Sequence, residues 1–144
     1  MAKKWLTTLI RARQVQEDVA KQRLATAERL AQRAHTRVRY DADRIDSLRA
    51  AGAEASAPAF VAAAVALQSA AATHSAAVRV AEEAAHAVGG RRNELVEAAR
   101  ARRTAEELRE QELTVQRARA AAAAQSRLDE VAARIHRDNA GSAR

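Results

Sequence analysis

Four histidines, His35, His74, His86 and His136, are the side chains of this 144-residue chain best suited to binding a metal. Their spacing is wrong for it. None stands three or four residues from another, so no two project from one helix face towards a shared ion. The carboxylate pairs Glu82-Glu83 and Glu106-Glu107 are adjacent, and neighbours on a helix diverge instead of converging on a substrate. The glycine pair Gly89-Gly90 lacks the lysine and threonine of a phosphate cradle. There is no cysteine, hence no thiolate nucleophile, thiolate metal site or disulfide framework. Catalytic, metal and cofactor sites are therefore not expected, and the chain is not read as an enzyme.

The elements that could position any site are two long helices. One proline, Pro58, stands in the whole chain, beside a short breaker cluster from Ala51 to Ala57. Helix 1 is expected over about 3–50, a turn over 51–57, helix 2 over about 57–137, and a disordered tail over 138–144, all in one domain. Ser56 is the expected N-cap of helix 2, with proline tolerated in its first turn. Gly89-Gly90 is expected as a soft point in a continuous helix. The 41 alanines favour helix but bury little area, and aromatics are only 2% of the chain. Such a composition suits the narrow seam of a coiled coil better than the core of a globule.

That seam is visible. Ala20, Leu24, Ala27, Ala31, Ala34, Val38, Asp41, Ile45 and Leu48 alternate steps of four and three, the repeat of a left-handed coiled coil. Upstream, Leu9, Ala12, Val15 and Val19 read as the same stripe after a phase slip. In helix 2 the stripe reads Phe60, Ala64, Leu67, Ala71, His74, Val78, Ala81, Ala85 and Val88, and resumes less regularly through Leu95, Leu108, Val115, Leu128, Val131 and Ile135. Folding at about residue 54 pairs residue i with roughly 108 − i, which sets Leu48 near Phe60 and Leu24 near Ala85. The expected fold is all-α, a long antiparallel two-helix coiled-coil hairpin whose second helix overhangs by about 30 residues at 1.5 Å each.

The net charge of +7 is uneven: residues 1–50 carry twelve Lys/Arg against six Asp/Glu. A basic helix could meet nucleic acid, lipid or an acidic protein surface. Nucleic acid is disfavoured, because acids interleave with the bases and stacking aromatics are missing. A membrane-surface helix is disfavoured by the weak apolar face that alanine provides. No run is read as reaching the roughly 20 apolar residues of a membrane span, and a cytosolic location is expected.

Trp5 to Ala20, WLTTLIRARQVQEDVA, resembles the opening of the FliJ family, the small coiled-coil proteins of flagellar type III export. Arg103 to Gln111 and Ser126 to Ala132 resemble that family's "E-x-L-x-E/Q" and "x-x-L-D-E-x-A" stretches. The resemblance implies a non-enzymatic stalk and adaptor, similar in fold to the central stalk of rotary ATPases. Its partners would be the flagellar export ATPase hexamer, the membrane export-gate protein and export chaperones. It would sit in the cytoplasm at the flagellar base, peripheral to the cell membrane through those partners, and serve motility. On that footing Trp5, Leu6, Leu9, Arg13, Leu128, Val131 and Ile135 are the expected ATPase-contacting residues, with Trp5, Leu6 and Leu9 placed near residues 99–103. Tyr40, Phe60 and Leu67 are the expected export-gate contacts. The alternative is a generic coiled-coil scaffold that homodimerises through its overhang.

Overall fold

The computed structural model describes residues 4–142 and consists of two α-helices with no strand among them. α1 spans Lys4–Ala53 and α2 spans Ala57–Ser142. The break is narrower than the breaker cluster suggests, because Ala51, Gly52 and Ala53 stay helical and only Glu54, Ala55 and Ser56 leave the helix. The Ser56 carbonyl accepts the first bond of α2 from the Phe60 amide at 2.8 Å, so Ser56 stands at the N-cap and Pro58 in the first turn. At the other end α2 runs past Asp138 to Ser142, through residues expected in the tail; Ala143 and Arg144 lie outside the described residues.

Gly89 and Gly90 do not interrupt α2. Neither has a positive φ, and a methyl group added to either would meet nothing within 4 Å. Glycine therefore serves no steric need here and leaves only its entropic cost, about 1 kcal/mol against alanine in a helix interior. Gly89→Ala with Gly90→Ala is expected to raise stability by about 1–2 kcal/mol. Thermal unfolding followed by circular dichroism measures this, and a lowered midpoint would show that the soft point has a structural role.

The contacts divide the chain into two units, one of Val15–Ala99 and one of Met1–Gln14 with Arg100–Arg144. In the first unit α1 and α2 pack side by side. A Cβ on Gly52 would lie 3.5 Å from the Ala63 Cβ, and further along Arg92 pairs with Glu28 at 3.6 Å. The inward residues of α1 are Glu17, Ala20, Leu24, Ala27, Ala31, Ala34, Val38, Asp41, Ile45, Leu48 and Gly52, all buried or half-buried. The stripe expected from Ala20 to Leu48 is thus present throughout.

Three expectations are corrected. The phase slip upstream of Ala20 is absent: Val15 and Val19 are exposed, while Glu17 continues the four-three spacing as a buried residue. Its carboxylate is held by Lys21 on the next turn, at 3.1 Å. On α2, Leu67, His74, Ala81 and Val88 face inward as expected, but the intervening inward positions are Ala63, Ala70, Ala77 and Ala84, each one residue before Ala64, Ala71, Val78 and Ala85. Val78 shares the burial of Ala77; Ala64, Ala71 and Ala85 are exposed. Alanines flank the stripe on both sides, so its sequence does not say on which side of Leu67 the seam passes. Finally, with Gly52 against Ala63, residue i of α1 faces 115 − i of α2, one heptad from the expected 108 − i. Leu48 then faces Leu67, and Phe60 lies beyond the end of α1.

In the second unit the buried residues are Leu6, Ile10 and Ala105. Leu6 and Ile10 are the only buried hydrophobic residues larger than alanine among the described ones. From Arg117 to Ser142 every residue is exposed.

Contrary to expectation, α2 holds an 18-residue window of mean hydropathy 1.3, long and apolar enough by length and composition to cross a membrane, with 6% of it buried. Alanine and valine accumulate that hydropathy where charge is missing: no Lys, Arg, Asp or Glu occurs from Ala57 to Val78.

Candidate protein-binding surfaces

Among the described residues no group of three His, Cys, Asp or Glu could hold a metal ion. The clefts are grooves along the helices, and the apolar side chains left open are the candidates for contact with other macromolecules. Both units carry exposed apolar side chains.

In the Val15–Ala99 unit the surface lies by the turn. Leu48, Arg49, Gly52, Ala53, Phe60, Ala63, Ala64 and Leu67 line a cleft of ≈ 240 Å³. Phe60 stands on its open side at 58% exposure, because the seam position it occupies on α2 has no residue of α1 opposite. Leu67 is half-buried, packed in the seam instead of presented outward. Val61 and Val65, which sequence reasoning passed over, are as exposed as Phe60. Their signal was available: they sit two residues either side of Ala63, on the opposite face of the helix. Tyr40 does not join this cluster. It lies on α1 roughly 20 Å before Ala53 at 1.5 Å per residue, exposed, with the Arg37 guanidinium 5.5 Å from its ring centre.

The same unit has a second groove, lined by Val19, Gln22, Arg23, Thr26, Leu30, Ala84, Ala87 and Arg91 among others. Val19, read from sequence as part of a slipped seam, lines this flank. Arg91 Nη1 donates to both carboxylate oxygens of Glu94, each at 2.9 Å.

In the unit of Met1–Gln14 and Arg100–Arg144, the expected contact residues separate by burial. Leu6 is 2% exposed and belongs to the core with Ile10 and Ala105, so it presents no surface to a partner. Leu9 and Arg13 are half-buried. Trp5 is exposed, and so are Leu128, Val131 and Ile135. These last three are spaced three and four apart, which aligns them along one face of α2. Polar partners flank them on the helix: Gln125 donates to Asp129 at 2.8 Å, and Arg134 pairs with Glu130 at 3.9 Å. Leu108 and Val115, read as seam, are exposed; Ala105 and Glu112 take the more buried positions.

The basic side chains Arg23, Arg29, Arg33, Arg37, Arg44 and Arg49 of α1 are all exposed. Some are engaged locally, Arg37 with Asp41 at 3.0 Å and Arg49 with Asp46 at 3.8 Å.

A family model described as Flagellar FliJ protein matches residues 2–141. No curated protein and no solved structure matches the chain.

Proposed function

The chain belongs to the flagellar FliJ protein family, whose function is tied to flagellar export, and from that premise we propose that it is a non-enzymatic stalk and adaptor of the export apparatus. As an antiparallel coiled-coil hairpin it would couple the export ATPase to the membrane export gate and escort export chaperones. It would work in the cytoplasm at the flagellar base, peripheral to the membrane through its protein partners.

The observation that carries this reading is the stripe Leu128, Val131, Ile135. It is apolar, continuous on one helix face, and lies where every residue from Arg117 on is exposed. An apolar stripe that its own chain leaves open supports a role in protein contact. We assign it, with Trp5, Leu9 and the half-buried Arg13, to the ATPase. The open Phe60 with Val61 and Val65 is assigned to the export gate. Leu6 supports the ATPase end from within its core. The same stripe could bind its counterpart on a second copy, which is the homodimerising scaffold; sedimentation equilibrium separates the two, a monomer that binds the ATPase favouring the stalk.

The exposed arginines of α1 supply the charge for a contact that tolerates several rotational positions, since long charged side chains adjust where a packed apolar patch cannot. Association with the export ATPase is therefore expected to weaken at least several-fold between 0.1 M and 1 M salt, as the Debye length falls from about 10 Å to about 3 Å. Surface plasmon resonance on the purified pair reads the affinity while circular dichroism follows the fold. Binding that does not respond to salt would leave the arginines as solubilising groups, and no binding at either salt would remove the adaptor reading.

A further inference from the structure

Asp41 and His74 are polar residues on the alanine-rich seam of the Val15–Ala99 unit, one from each helix, and the register brings them to the same layer. Asp41 is buried, 2% exposed, and its Oδ2 accepts a bond from Arg37 Nε at 3.0 Å on its own helix. His74 is inward-facing, and its Nδ1 is buried with no hydrogen-bond partner. With Gly52 against Ala63, the four-three spacing carries Asp41 opposite His74. No other charged or titratable side chain is available from α2 at this level, because residues 57–78 contain no Lys, Arg, Asp or Glu and His74 is their one histidine.

The apolar layers around them discriminate poorly. Both helices repeat every seven residues, so sliding one along the other by a heptad, about 10.5 Å, again brings stripe to stripe. In the 108 − i pairing Leu48 would meet Phe60, Asp41 would meet Leu67, and His74 would meet Ala34. Alanine-on-alanine layers change little between the two pairings. The polar residues change most: the observed pairing puts both in one layer, whereas a one-heptad slip in either direction leaves Asp41 only its Arg37 bond, facing Leu67 or Ala81, and sets His74 against Ala34 or Leu48. A buried polar group without a polar neighbour costs more than a lost contact.

We propose that the Asp41–His74 layer is a register lock, which holds α1 and α2 in the 115 − i pairing against the pairing one heptad away. The lock also sets the surface by the turn. In the observed register Phe60 is open, and in the slipped register it would close against Leu48. This device stands on the seam alone and holds whether or not the export role does.

The chain has no cysteine, so introduced pairs report register without background. Val38→Cys with Ala77→Cys faces only in the 115 − i pairing, and Ala31→Cys with Ala77→Cys only in the 108 − i pairing. A 10.5 Å slip exceeds the Cα separation of about 4.4–6.8 Å that a disulfide spans. In the otherwise native chain the 38/77 pair is expected to oxidise at least tenfold faster than the 31/77 pair. In Asp41→Ala/His74→Ala the 31/77 rate should rise at least fivefold. In Asp41→Ala/Ala34→Asp, where the acid has moved one heptad so that it meets His74 in the 108 − i pairing, the preference should reverse. If the alanine variant loses helicity by circular dichroism, the transplant decides alone. A native crosslinking pattern in the transplant overturns the lock.

Discussion

Leu128→Glu combined with Ile135→Glu is expected to abolish stimulation of the export ATPase while leaving helical content near its native value. Both side chains are exposed, Leu128 at 64%, and both lie beyond Gln116, after which no residue of α2 is even half-buried. Replacing them removes no packing inside the chain. Two carboxylates would, however, have to be desolvated wherever a partner covers the stripe, and an unpaired charge under an interface is among the most costly changes a contact can suffer. Hot-spot losses of about 2 kcal/mol or more per residue correspond to roughly a thousandfold in affinity for the pair. Titration of the variant into the ATPase, with turnover as readout and circular dichroism as control, tests this. Unchanged stimulation would move the ATPase contact off this stripe.

Leu6→Ala is expected to do the reverse, lowering stability strongly with no direct effect on any contact. Leu6 is 2% exposed in a unit whose other buried residues are Ile10 and Ala105. Deleting most of one large side chain from so thin a core costs about 2–4 kcal/mol, since the rigid helices relax little into the space. A fall of roughly 5–10 °C in the melting temperature follows for a chain of this size. Trp5→Ala is the contrast: its side chain is exposed, and its loss should leave the melting temperature within about 2 °C while weakening ATPase binding. A Leu6→Ala chain that melts normally would return Leu6 to the surface role first expected of it.

The exposure of Leu128, Val131 and Ile135 was legible in the sequence, whereas the burial of Leu6 was not. Leu128, Val131 and Ile135 were legible as a free stripe because their spacing places them on one helix face beyond any partner segment, whatever the register. Leu6 was misjudged because large apolar residues near a chain end look alike whether they face in or out. The deciding information was phase, and two charged residues hid it. Glu17 and Arg13 occupy the spacing that leads from Ala20 back to Ile10 and Leu6, whereas the more hydrophobic Val15 and Val19 suggested a slipped stripe. The structure keeps the phase and accepts the charge, with Glu17 held by Lys21.

The two helices, the break between them and the inward face of α1 from Ala20 to Leu48 were determined by sequence alone, because each follows from local terms: alanine propensity, one proline and a seven-residue repeat. Which heptad of α2 meets which heptad of α1, and on which side of Leu67 the seam runs, only the tertiary structure decided. A repeat is by construction indifferent to translation by its own period, and alanines on either side of a stripe give neighbouring rotations nearly equal burial. Such degeneracy is broken only by features that do not repeat. Here those are Gly52 at the close approach to Ala63, the short turn from Glu54 to Ser56, and the one layer in which Asp41 and His74 fall together.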